Sequence, residues 1–63
     1  MGTTVKLIDE DGNVFAIIGA VQRALRRDGR PEDATAFVER AMAAESYDEV
    51  LQIIVSDETL DIE

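Results

Sequence analysis

Apolar and polar residues alternate at the start of the chain, in Thr3-Thr4-Val5-Lys6-Leu7-Ile8-Asp9. Val5 and Leu7 fall on one side, Thr4 and Lys6 on the other, and this two-residue period predicts a strand over 3–9 with one buried face. Asp9-Glu10-Asp11-Gly12-Asn13 follows as a turn. Gly12 there can take positive φ, and Asn13 suits a helix N-cap because its side-chain oxygen can accept from a free N–H of the first turn.

From Val14 to Asp28 the period lengthens to that of a helix. At 100° per residue, Val14, Ile17, Ile18, Val21 and Leu25 share an arc of about 100°, the stripe expected to face a core. Gly29 supplies a helix stop and Pro31 a helix start. A second helix over 31–44 directs Ala34, Phe37, Val38, Ala41 and Met42 inward, with Glu32 and Asp33 well placed against the dipole of its first turn. Ser46-Tyr47-Asp48-Glu49 has the Ser-x-x-Glu form of a capping box and opens a third, shorter helix. Its inner stripe is Tyr47, Val50, Leu51 and Ile54; Ile53 lies off it, at the core's edge or in a subunit contact. Thr59-Leu60-Asp61-Ile62-Glu63 alternates again, with Leu60 and Ile62 on one side of a second strand that pairs with the first.

The order β-α-α-α-β makes residues 1–63 a single α+β domain, without internal repeats or linkers. Two strands alone form a marginal sheet, so pairing between copies is expected to extend it across a homo-oligomer. Size strengthens this expectation. A chain of 63 residues with neither Cys nor His has no disulfide and no ordinary zinc site to supplement a small core, which leaves oligomerisation. The longest apolar run falls far short of the roughly 20 residues that span a bilayer. No membrane association is therefore expected, and the cytoplasm of a host bacterium is the expected location.

Charge changes the picture most. Fourteen acids against six basic residues give a net charge of −8, which argues against binding duplex nucleic acid. Yet Arg23, Arg26, Arg27 and Arg30 fall within eight residues, giving residues 23–30 a charge of +3 and leaving −11 for the rest. Their i, i+3, i+4, i+7 spacing puts them on one helical face, opposite the apolar stripe, if the helix continues through residue 30; Gly29 is expected to end it first. Guanidinium groups hold phosphate or carboxylate bidentately and stay protonated. The cluster therefore either pairs with carboxylates of this chain or a neighbour, or holds an anionic ligand. Gly19, one turn earlier on the same side, leaves the backbone open to close approach. Tyr47, the single Tyr, could stack on a base, or serve as an aromatic at the core's edge; Phe15 and Phe37 read as core.

Catalysis finds little support. The hydroxyl residues Thr35, Ser46 and Ser56 have no adjacent base, and Ser46 is accounted for as a cap. The pairs Asp48/Glu49 and Asp57/Glu58 are adjacent in sequence and so do not share a helical face. Asp9, Asp11 and Asn13 have the start of a calcium-loop pattern, but Val14 occupies the required Gly position and Ala20 the position of the bidentate Glu. No metal, cofactor or enzymatic activity is expected.

Taken together, Asp11-Gly12-Asn13, Phe15-Ala16-Ile17, Gly19, Arg26-Arg27, Gly29, Pro31-Glu32, Phe37 and Tyr47-Asp48 make residues 9–63 resemble a family of short, mostly uncharacterised proteins encoded by phages, plasmids and other mobile elements. The chain departs from that pattern at Ala43-Ala44-Glu45-Ser46, which replaces a Gly-containing turn. The resemblance implies a mobile-element context, in which small proteins often act as counter-defence factors, some of them oligomeric sponges for nucleotide immune signals. Three functions are thus expected, none catalytic. The first is an oligomeric module sequestering a cyclic nucleotide or ADP-ribose-type molecule through Arg23, Arg26, Arg27 and Arg30, with Gly19 and Tyr47 beside them. The second is an acidic module that directly inhibits a host protein, and the third an accessory protein without a ligand.

Overall fold

Each helix begins and ends where local chemistry can satisfy its free backbone groups. The structure, a computed structural model, describes residues 2–6 and 13–62. Helix α1 (Val14–Arg27) starts at Asn13, whose Oδ1 accepts from the Phe15 N–H at 2.8 Å. It ends in a Schellman arrangement: Arg30 N–H donates to the Leu25 carbonyl at 2.8 Å and Gly29 N–H to that of Arg26 at 3.1 Å. Gly29 takes a φ of +76°, a conformation that would strain any residue with a Cβ. Helix α2 (Pro31–Ala43) therefore starts immediately, with Pro31 in its first turn. Helix α3 (Tyr47–Ser56) is capped by Ser46 Oγ, which accepts from the Glu49 N–H at 3.2 Å. The Glu49 carboxylate reaches back one residue further than a standard capping box, accepting from the Glu45 N–H at 3.0 Å.

Strands β1 (Thr3–Val5) and β2 (Leu60–Ile62) pair in parallel, with Thr3 opposite Leu60, Thr4 opposite Asp61 and Val5 opposite Ile62. The orientation follows from the helix count. Three helices crossing the molecule alternately return the chain to the end from which it left, so β2 runs in the direction of β1, joined by a crossover long enough for a parallel pair. The expected β-α-α-α-β order and the pairing of the terminal strands are both present. Strand β1 ends at Val5, short of the 3–9 segment expected; residues 7–9 of that segment and the turn at 9–12 lie outside the described residues. Gly2 packs so closely on β2 that a Cβ there would stand 2.9 Å from the Thr59 carbonyl oxygen.

Helix α1 is the centre of the core. It packs against β1, α2 and α3, and its buried face takes in Ala20 and Ala24 as well as the expected Ile17, Ile18, Val21 and Leu25. Ala34, Phe37 and Ala41 from α2, Val50 and Ile54 from α3, and Val5 and Leu60 from the sheet complete it. Val14, Val38, Leu51 and Ile53 are half-buried around this centre, so Ile53 belongs to the core's edge. Four residues read as inward are not. Phe15 is 63% exposed, Met42 60%, Tyr47 39% and Ile62 42%. Phe15 lies about 100° from the centre of the α1 stripe, Met42 sits at the margin of the α2 stripe, and Tyr47 and Ile62 sit at element ends, beyond the reach of a partner layer.

Candidate anion-binding site

The end of α1 divides the four arginines. Because Gly29 turns the chain, Arg30 leaves the helical face and becomes the residue before α2. Its half-buried guanidinium bridges three segments. Nη1 donates to Thr3 Oγ1 at 2.9 Å, Nη2 to Thr59 Oγ1 at 3.0 Å, and Nε to Asp33 Oδ2 at 2.9 Å. Thr3, although polar, is almost completely buried, and Arg30 is what satisfies its hydroxyl. The Thr59 hydroxyl in turn donates to Asp57 Oδ1 at 2.7 Å, and the Thr59 N–H to the same oxygen at 2.9 Å. The hydroxyl bond, foremost, holds the Asp57 carboxyl below its ordinary value against the opposing effect of burial; the Thr59 N–H and the charges of Arg30 and Arg40 act in the same direction as the hydroxyl. Arg30 is thus a strut holding the helical turn to both strands.

Arg23 and Arg27, four residues apart, lie along the side of α1 that faces β1. Arg27 Nη2 donates to the Thr4 carbonyl at 3.1 Å, and its Nε pairs with Asp28 at 3.3 Å. Thr3 N–H donates to the Thr59 carbonyl, so by strand alternation the Thr4 carbonyl points away from β2, and Arg27 covers the outer edge of β1. Arg23 is itself engaged in the fold. One of its Nη atoms would lie 3.2 Å from a Cβ at Gly19, which places Gly19 directly beside it. Between helix and strand is an open hollow of about 380 Å³ lined by Thr4, Lys6, Ala20, Arg23, Ala24 and Arg27. Its floor is alanine, its walls carry three cations, and no carboxylate lines it among the described residues.

Lys6 was not singled out by the sequence pattern. The signal was present, since Lys6 shares the polar side of β1 with Thr4, but only the packing of β1 on α1 brings it to Arg23 and Arg27. Arg26, adjacent to Arg27, points about 100° further round the helix; it is exposed and outside the hollow. Tyr47 is in a different place altogether. It lines a groove with Phe15 and Met42, between the start of α1, the end of α2 and the start of α3. Of the expected set, then, Arg23, Arg27 and Gly19 come together, Arg26 stands at the shoulder, and Arg30 and Tyr47 lie elsewhere.

Two guanidinium groups and an ammonium around a small-residue floor are suited to a compact polyanion. A phosphate there would meet the positive charge of both guanidinium groups and the point charge of the lysine, with Nε and Nη2 of Arg27 already engaged by Asp28 and the Thr4 carbonyl. A site this local can be positive within an acidic protein because charges beyond about 8 Å are largely screened at physiological ionic strength. No helix among the described residues is long and apolar enough to cross a membrane. No family model, no curated protein and no solved structure matches the chain.

Proposed function

We propose that the protein is a non-catalytic binding module that takes a phosphate-bearing small molecule into the hollow between α1 and β1. The observation carrying this reading is the convergence of Lys6, Arg23 and Arg27 on one alanine-floored depression, with no lining carboxylate among the described residues, in a chain of net charge −8. Gly19 stands beside Arg23, and Arg26 lies outside the hollow. A nucleotide of cyclic or ADP-ribose type fits the size and charge of the hollow. The resemblance to mobile-element proteins points to sequestration of such a molecule, a sponge acting against host defence.

The module works as a homo-oligomer in this reading. With Arg27 on the outer edge of β1, the edge left for pairing is that of β2, where Ile62 is exposed. Antiparallel pairing of β2 with β2 of a second copy makes a four-stranded sheet with β1 outermost on each side. Both hollows stay open to solvent.

Calorimetric titration with pyrophosphate and with a cyclic dinucleotide, in low salt, tests the binding claim. Saturable binding that weakens as salt rises is expected. The double variant Lys6→Ala/Arg27→Ala should bind at least tenfold more weakly, a loss of about 1.4 kcal/mol. Arg40→Ala, which lies beside Ile53, Ser56, Asp57 and Glu58, should bind as the wild type does. Absence of heat with either ligand, or equal loss in Arg40→Ala, contradicts the proposal.

A further inference from the structure

The opposite end of the helical layer carries a second surface, independent of the cationic hollow. Val14, Phe15 and Ile18 of α1, Ala41 and Met42 of α2, and Tyr47 and Val50 of α3 line an open groove of about 260 Å³. Three of its walls are among the largest exposed apolar side chains of the described residues, Phe15, Met42 and Tyr47. Exposed apolar surface that is contiguous, rather than scattered, marks interaction sites. The residue types fit as well, since Met adapts to varied partners and Tyr contributes large area at little entropic cost.

Charge decides what kind of partner. Glu45 lines the groove, and Asp48 and Glu49 stand exposed in the first turn of α3 beside Tyr47. No basic side chain lines it. Lys6, Arg23 and Arg27 surround the other hollow, Arg30 bridges the strands, and Arg40 lines a separate depression. Arg26 is eleven residues from Phe15, about 16 Å along α1. An apolar groove lined by Glu45, with Asp48 and Glu49 exposed next to it in the chain, complements an apolar segment flanked by Lys or Arg. A second copy of this chain is the poorer match, because an isologous contact sets the Glu45/Asp48/Glu49 rim against itself.

We infer that this groove docks a basic amphipathic segment of another protein, with apolar side chains seated among Phe15, Met42 and Tyr47 and cations against Glu45, Asp48 and Glu49. Helix-in-groove recognition of this kind uses anchors at i, i+3, i+4 and i+7. The rim charges supply selectivity and encounter rate, while the apolar anchors supply affinity.

Tyr47 is the chain's single Tyr and there is no Trp, so its ring resonances and fluorescence report on the groove alone. Two synthetic amphipathic peptides with identical Leu and Phe anchors, one flanked by Lys and Arg and the other by Glu, are titrated into the full-length protein. The basic peptide is expected to shift the Tyr47, Phe15 and Met42 side-chain signals saturably, and the acidic peptide to bind at least tenfold more weakly. Met42→Lys should abolish the shifts; Val55→Lys, at a residue 78% exposed on α3 outside the groove, should leave them unchanged. Equal binding of both peptides overturns the inference, as does the absence of any shift. Movement of the Tyr47 signals with protein concentration alone also overturns it, since a second copy then fills the groove.

Discussion

Arg30→Ala should be the most damaging single change on the polar surface of this protein. The substitution removes three donated hydrogen bonds, to Thr3, Thr59 and Asp33. The Thr3 bond weighs most, because its hydroxyl is buried and loses its partner, at a cost of about 1–3 kcal/mol. The bonds to Asp33 and Thr59 are more exposed and screened by solvent, and together add about 0–1 kcal/mol. Loss of the packed side-chain stem adds some tenths more. The expected total is about 1–4 kcal/mol, against about 3–9 kcal/mol for the whole stability of a domain of this length. Thermal melting followed by far-ultraviolet circular dichroism, at fixed protein concentration, should show a fall of about 5–30 °C. Arg30→Lys should fall between wild type and Arg30→Ala, because an ammonium cannot span all three acceptors. Arg26→Ala, exposed and without a hydrogen bond to a described residue, should stay within about 0.5 kcal/mol of wild type. An Arg30→Ala variant melting within about 3 °C of wild type refutes the strut.

The other expectations concern the turns and the acid limb. Gly29→Ala places a Cβ at a φ of +76° and should cost about 1–2 kcal/mol by denaturant unfolding; no loss would contradict the Schellman geometry. Gly19→Ala should do the reverse and add up to about 1 kcal/mol, since its one close neighbour among the described residues is the far end of the Arg23 side chain; a destabilised variant would mean that Arg23 is fixed in place. The depressed folded-state value of Asp57 gives stability that is complete above its ordinary value and lost as pH falls through the lower, folded value. Wild-type stability should accordingly decline below about pH 4, and Asp57→Asn should be less stable at neutral pH with a flatter acid limb.

The parts of the fold written into short windows were legible in the sequence. Asn13, Gly29-Arg30-Pro31 and Ser46 act on backbone groups within a few residues of themselves, and each takes up the capping or turning role its chemistry predicts. Of the four arginines, Arg23 and Arg27 line the hollow beside β1, whereas Arg26 and Arg30 do not. What sequence could not supply was the fate of side chains whose partners are remote. The sequence leaves open whether Arg30 joins the helical cluster or the loop, because its acceptors Thr3 and Thr59 lie 27 and 29 residues away. Lys6 joined the arginines only through the packing of β1 on α1. Phe15 and Met42 read as inward because they are large and apolar, yet Met42 lies at the margin of its stripe and Phe15 outside its own, and both are exposed. The acidic rim of their groove consists of α3 cap and first-turn residues, a local role that hid the larger pattern.

The central claim is that the cationic hollow holds a phosphate group, and resonance-by-resonance titration of the wild-type protein with pyrophosphate tests it most directly. Backbone amides of Thr4, Lys6, Ala20, Arg23, Ala24 and Arg27 should shift together and saturate, while those of Met42, Tyr47 and Val50 at the far groove stay still. Shifts centred on Arg30 or Arg40, or no shift at the hollow at ligand concentrations that saturate a millimolar site, would contradict the account.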